Sequence, residues 1–294
     1  MRTKLLSWMR LCGLAALLTA TAATAQVPQG RVAGRIVAAK VKGTVTAVNT
    51  ADHSQRELKD NDAIAQNYVV TTAQNSSVIL VFSNGATINL APDSTLAIEQ
   101  FLQDPFSTSY SMATATDEPS TSVTQLALVR GELVGNVKHL RKDGPNGSSF
   151  TVNTPVGAAG IRGTTFRIVF RPDSSGKAFF SLSTAEGEVI LTGTTAVTTP
   201  VPTGQEVVVT VEVTVDAKTG VVTVTAAPTV VTQDIPPVTQ AAIAVAAQEI
   251  VTSNAAVIFT SVSTSTNTPA PPPTPEPPPA PPAPPDNTTP GDGK

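Results

Sequence analysis

From Val207 to Val215 every odd-numbered residue is valine, while Thr210, Glu212 and Thr214 fill even positions between them. An apolar side chain at every second residue puts one face of an extended chain into a core and leaves the other in water, a period that an α-helix cannot use. The bias is general. The chain carries 36 Val and 43 Thr among 294 residues, with only 4% aromatic and 14% charged residues. Both types are stiff about χ1 and suit a pleated, half-buried surface, so an all-β fold is expected. Asp216 to Gly220 then supplies turn residues, and Val222 and Val224 resume the alternation as the second arm of a hairpin.

The same unit recurs upstream. Ser77–Ser83 runs into Asn84-Gly85, which predicts a two-residue hairpin loop because both residues tolerate positive φ. Ala86–Leu90 returns with Ile88 and Leu90 on one face, Pro92-Asp93-Ser94 turns the chain, and Thr95–Gln100 follows with Leu96 and Ile98 inward. Val123–Arg130, Glu132–Val137, Phe150–Asn153, Thr164–Phe170 and Ala178–Thr184 continue the series, with Phe166, Ile168 and Phe170 inward and Thr165 and Arg167 outward. Many short strands with regular turns predict a twisted antiparallel two-sheet sandwich or a short solenoid-like β roll. Two stretches depart from the pattern. Leu102–Ser122 is polar and twice interrupted by proline, and reads as a long surface loop. Val238–Val251 places Ile243, Ala247, Ile250 and Val251 on one helical face after Pro236-Pro237, predicting one short C-terminal helix that covers a sheet edge or face.

Both ends differ in kind from the middle. Arg2, Lys4 and Arg10, the apolar run Leu11–Ala23 and the small residues Ala23-Thr24-Ala25 read as an export signal over residues 1–25, with an apolar run too short for a bilayer span of about 20 residues. Cleavage there would lower Lys+Arg from 19 to 16 against 22 acidic residues, a net charge near −6. Such a balance argues against nucleic acid, which is bound by clustered cations. The only cysteine, Cys12, lies within the signal, so disulfides, thiolate metal sites and cysteine nucleophiles are excluded from the processed chain. Of the 25 prolines, 13 fall between Pro269 and Pro290, and residues 261–294 are expected to form an extended, disordered tail.

Candidate chemistry is sparse. His53 and His139 sit singly among charged loop residues, with no metal-ligand spacing around either. The basic run Lys138–Lys142 precedes Asp143-Gly144-Pro145-Asn146-Gly147 and reads as a solvated hairpin tip. Asp60-Asn61-Asp62 lacks the glycine and glutamate of a calcium loop, and Glu186 and Glu188 come from one strand rather than from two facing elements. Gly157, Gly160 and Gly163 have neither the spacing nor the following helix of a nucleotide loop. They suit tight reversals or close backbone approach instead, after a strand that Thr154-Pro155 ends. Arg162, between two of these glycines, is placed to bond the carbonyls of the bend or to face a ligand, the structural role being favoured. With no nucleophile and base assembled, the chain is expected to be non-catalytic, with no cofactor.

One ordered set of motifs resembles the FecR domain. Asn84-Gly85-Ala86-Thr87 and Pro92-Asp93-Ser94 match its first half, and Leu128 to Leu133 its L-x-x-G-x-x strand. Phe150 to Gly157 matches F-x-V-x-T-P-x-g, Ile161-Arg162-Gly163-Thr164-Thr165-Phe166 matches v-R-G-T-x-F, and Glu186-Gly187-Glu188-Val189 matches an e-G-x-V hairpin. The resemblance covers residues 36–210, leaving 211–260 as a hairpin end and helix that pack on the domain. Its signature residues Thr154, Pro155, Gly157, Arg162, Gly163, Thr164, Phe166 and Gly187 are expected to be structural. Familiar members of the family pair a periplasmic FecR domain with a cytoplasmic segment that controls a sigma factor, a segment not expected here, where the export signal stands in its place. The resemblance implies a periplasmic or secreted module that binds or senses through a protein partner in the cell envelope, with no transmembrane helix after signal cleavage. A structural surface or matrix protein, or a carbohydrate-binding module, is the alternative. N-terminal sequencing of the exported protein should return Gln26 as the first residue; retention of Met1 would instead identify an uncleaved anchor.

Overall fold

The alternating segments all form strands, and several are far longer than their hydrophobic repeats suggested. The computed structural model describes residues 30–142, 147–193, 198–216 and 222–260. The signal expected over 1–25, the Pro-rich segment 261–294 and the turn residues 217–220 lie outside the described residues. In chain order the first strands are β1 (Val32–Ala33), β2 (Ile36–Lys42), β3 (Val45–Asn49), β4 (Gln55–Glu57), β5 (Asp62–Ile64), β6 (Tyr68–Thr72), β7 (Ser77–Phe82), β8 (Thr87–Leu90), β9 (Thr95–Gln103) and β10 (Tyr110–Ser111). They continue as β11 (Ser122–Asn136), β12 (Ser149–Thr154), β13 (Gly157–Pro172), β14 (Lys177–Gly193), β15 (Thr198–Pro202), β16 (Gln205–Val215), β17 (Val222–Val224) and β18 (Thr229–Asp234). The helix α1 (Pro237–Asn254) and the short β19 (Ile258–Phe259) follow.

Three strands are bent and serve two sheets each. The first half of β11 pairs with β9 and β12, and its second half with β8 and β13. In the same way β13 passes from β12 to β11, and β14 from β15 to β16, while β13 and β14 stay paired with each other on both sides of the bend. Two layers result. One runs β4-β3-β6-β9-β11-β12-β13-β14-β15, and the other β5-β2-β7-β8-β11-β13-β14-β16-β18. The arrangement is an all-β two-layer sandwich, open at its edges rather than closed into a barrel. Every pairing is antiparallel except β11 with β12.

The bends explain why the repeats looked short. Val123–Arg130 and Glu132–Val137 are not two strands but the two arms of β11, hinged at Gly131, whose φ is +102°. A Cβ there would come within 2.5 Å of the Ser94 Cα, so the β8–β9 turn can lie directly against the bend only because the side chain is absent. Ser94 locks the contact: its Oγ accepts from Glu132 N at 2.9 Å. Glu186 to Val189, expected as a hairpin, is likewise the bend of β14, and of Gly157–Gly163, expected as reversals, the residues up to Ile161 are a strand paired on both sides.

Between the layers lies one continuous apolar cluster. Phe82, Phe101, Phe150, Phe166, Phe170 and Phe180 are its largest fully buried side chains, and Phe82 meets Phe101 edge-on at 5.3 Å. The expected inward residues are there: Ile88, Leu90, Leu96, Ile98, Ile168, Val207, Val209, Val211 and Val213 are buried, whereas Val215 at the end of β16 is exposed. The β7–β8 connection differs from expectation. Phe82 and Ala86 are joined by a backbone hydrogen bond around a three-residue loop, Ser83-Asn84-Gly85, in which only Gly85 has positive φ. The reason is Asn84, whose buried amide donates to Ser122 Oγ and Thr124 Oγ1 at 3.1 Å each, which a flat two-residue turn would point into water.

The outer face of the second layer is covered twice. Helix α1 lays Ile243 and Ile250 over Val134, tied by Asn254 to Thr87 and by Glu249 to Lys40 and Asn89. Val251, expected on that face, is instead exposed. Residues 104–121 are not the expected surface loop: Phe106, Tyr110 and Met112 pack with Phe259 over Ile79 and Val81, and β10 pairs with β19. A glycine at a bend and one in the open β15–β16 turn make a direct test of this architecture. Gly131→Ala combines a disfavoured φ with a backbone collision and should cost about 3 kcal/mol or more in urea unfolding. Gly204→Ala, at φ +84° with nothing near its Cβ, should cost only about 1 kcal/mol.

Candidate functional site

Five of the signature residues, Arg162, Gly163, Thr164, Phe166 and Gly187, gather at the bend shared by β13 and β14. Arg162 is paired with Glu188 and Thr165 with Glu186, so three residues advance on β13 while two advance on β14, a bulge that turns both strands from one layer to the other. Gly163 (φ +61°) and Gly187 (φ +77°) face each other across it, and a Cβ on Gly187 would lie 2.6 Å from the Gly163 carbonyl oxygen. Phe166 follows the bend and plugs the core opposite Gly135, whose missing side chain leaves room for the ring. Thr154, Pro155 and Gly157 form the β12–β13 hairpin at the far end of the first layer, where Thr154 Oγ1 donates to the Gly157 carbonyl at 2.9 Å. The signature is thus one bend plus one hairpin.

Arg162 stands apart from its neighbours. Its side chain is exposed, and among the described residues it bonds none of the carbonyls of the bend. Gly160, also expected to permit close approach, has only ordinary contact room around it. Thr164 Oγ1 and Thr184 Oγ1, on the two strands at the bend, are buried without a hydrogen-bond partner.

Three shallow hollows flank the bend. Arg162 and Glu188 line one of about 280 Å³ with Phe150, Ile161 and Ile190. Thr164, Lys138, His139 and Glu186 line a second of about 250 Å³. The third, about 430 Å³, lies between the sheet and α1, with Asn136, Thr165 and Glu186 on its floor and Ile243 and Ala247 on its wall. Its floor is a hydrogen-bonded chain: Asn136 donates to Thr165 Oγ1 at 3.0 Å, and Thr165 donates to Glu186 at 3.1 Å. Glu186 and Glu188, expected on one face of one strand, are therefore parted by the bulge into different hollows. The strip carries both signs of charge, half-exposed apolar Ile190 and no deep cleft, a surface suited to contact with another macromolecule more than to enclosure of a small one. Among the described residues no group of three His, Cys, Asp or Glu could hold a metal ion. None of their helices is long and apolar enough to cross a membrane.

One buried acid holds the strip in place and has no periodic signal in the sequence. Glu118 is 1% exposed and accepts from Arg141 N at 2.6 Å, Ser122 Oγ at 2.9 Å and Ser148 Oγ. It ties residues 104–121 to both sides of the Lys138–Ser148 connection. Burial raises its pKa above the ordinary carboxylate value, against the opposing effect of the hydrogen bonds it accepts. Next to it the Tyr110 phenol, also raised chiefly by burial, stays neutral and donates to the Asp117 carbonyl at 2.8 Å. His139 and Asp117 are exposed, with 3.8 Å between Nδ1 and Oδ1.

Residues 68–190 match the family model described as FecR protein. Two crystal structures, at 1.65 and 2.50 Å, of a candidate anti-sigma factor from Parabacteroides distasonis ATCC 8503 are similar to this chain at 12% identity, over 56% of this chain and 59% of that one, with TM-scores of 0.36 and 0.35. The chain thus spans less than two thirds of that protein's length. No curated protein matches the sequence.

The pH response of Glu118 has a defined sign. A carboxyl whose folded pKa is raised binds its proton more tightly in the folded state, so stability should fall as pH rises from the ordinary carboxylate value through the raised one. Glu118→Gln should flatten that slope in thermal melts run across the acid range; an unchanged slope would assign the pH response to other groups.

Proposed function

We propose that the chain, whose residues 68–190 match the FecR family model, is an exported, non-catalytic binding module that acts in envelope signalling through contact with another protein. Arg162 is the observation that carries the reading. Its neighbours Gly163, Thr164 and Phe166 are consumed by the bend and the core, but the arginine between them and Ile161 is spent on neither and faces solvent beside Glu188 and Ile190. A guanidinium held on a rigid bend, with a carboxylate and an apolar side chain beside it, has the composition of an interface anchor. Arg enters such contacts as a planar donor to carboxylates and backbone carbonyls.

The remaining parts of the reading rest on the sequence. The signal over residues 1–25 directs the chain out of the cytoplasm, which places the module in the periplasm or outside the cell. Sugar binding finds little support: Tyr110 is buried, Tyr68 is half-buried beneath Arg56, and the single Trp, Trp8, belongs to the expected signal.

Arg162→Ala tests the assignment, since the side chain is exposed and its removal should leave thermal stability nearly unchanged. In capture from envelope extract, the wild-type protein should retain a partner that the variant loses by roughly tenfold or more, the scale expected when an interfacial arginine is removed. Equal retention by both proteins would move the interface elsewhere, and a large loss of stability in the variant would return Arg162 to a structural role.

A further inference from the structure

Each layer of the sandwich has two edges, and among the described residues three of the four are blunted. β4 is short and fully exposed, with Arg56 and Glu57 in it; β5 is equally short and begins with Asp62. β15 carries Pro200 and Pro202, which cannot donate to a ladder. The fourth edge, β18, has none of these protections. It reads Thr-Val-Val-Thr-Gln-Asp, is exposed along its whole length, and leaves Val230 and Val231 about half exposed on opposite faces.

The register shows which of its backbone groups are free. β18 pairs with β16 from Thr210↔Thr229 to Gln205↔Asp234, and Ile235 N donates to the Gly204 carbonyl at 2.9 Å. Hydrogen-bonded pairs alternate along an antiparallel ladder, so Gln233, Val231 and Thr229 bond β16, while Val230, Thr232 and Asp234 turn their N–H and C=O groups outward.

We propose that β18 pairs with β18 of a second copy of this chain, antiparallel about a two-fold axis at Val231. In this register Val230 and Thr232 exchange both backbone hydrogen bonds with Thr232 and Val230 of the second copy. Val231 meets its own counterpart at a non-hydrogen-bonded position, and the two exposed valines bury each other. Charge favours a second copy as the occupant. Thr229 to Gln233 carries no charge, and Asp234 falls opposite Pro228 of the other copy, so no like charges meet. The same operation on β4 would bring Arg56 toward Arg56. The Pro-rich residues 269–290 are poor candidates for the same edge, because consecutive prolines supply no amide donors. The second layers of the two copies join into one sheet, and the Arg162 bends, on β13, remain outside the contact.

Sedimentation of the exported full-length protein should show a dimer that dissociates on dilution. Thr232→Pro removes an N–H that faces only the open edge, and Val231→Lys sets two ammonium groups against each other across the axis. Both should yield monomers whose thermal midpoints match that of the wild-type protein at dilutions where it too is monomeric, while retaining any partner bound through Arg162. In a Cys12→Ser background, Val231→Cys should form an interchain disulfide on air oxidation, since facing non-hydrogen-bonded residues lie about 4.5 Å apart at Cα. A wild-type protein that stays monomeric at high micromolar concentration overturns the proposal. So does a dimer that survives both Thr232→Pro and Val231→Lys, or one that persists while Val231→Cys fails to cross-link.

Discussion

Everything in this fold depends on strands that turn a corner. β11, β13 and β14 each belong to two layers, and each turns at a glycine of positive φ whose missing Cβ leaves room for a neighbour: Ser94 at Gly131, His139 at Gly163 and the Gly163 carbonyl at Gly187. The Gly131 bend seats Ser94, and the Gly187 bend seats the Gly163 carbonyl. Once these contacts form, the layers are fixed relative to each other by covalent chain as well as by the core. The facing side chains then meet in register, which is what lets six phenylalanines lie fully buried between the layers.

The same corner explains the composition of the candidate interface. A bulge advances one strand relative to its neighbour, so residues that alternation would place on one face are distributed over two. Glu186 and Glu188 are parted in this way, and Arg162 is carried outward while Phe166 is carried inward. A stable bend therefore presents a charged strip whose backbone is as rigid as the core behind it, which lowers the entropic cost of binding through it.

Much of this was legible in the sequence. The period-2 runs located the buried faces of β8, β9, β16 and the second arm of β13, because alternation survives a bend as long as the count of residues is right. What alternation cannot report is continuity. Arg130-Gly131-Glu132 looks like a turn between two strands and is a hinge within one, since the local signal for both is a glycine at positive φ. Partners far along the chain were equally hidden. Glu118 sits in a polar, proline-flanked stretch that reads as a loop, and its burial depends on Ser148 and Arg141, which no local pattern connects to it. Val251 fits the apolar stripe of α1 as well as Ile250 does, yet the sheet beneath is reached only along the Ile243–Ile250 line.

The C-terminal end of the described chain also has a mechanical meaning. Beyond α1, the last contact is β19, whose two residues pair with β10 and seat Phe259 against Tyr110, Met112 and Val81. Tension arriving along the chain from beyond Thr260 meets this two-residue ladder before it meets any long strand. Such a ladder yields at a far smaller load than the sheets behind it. Its release would lift Phe259 alone from the cover over Ile79 and Val81 while leaving the two layers intact, so the described chain ends on its weakest link.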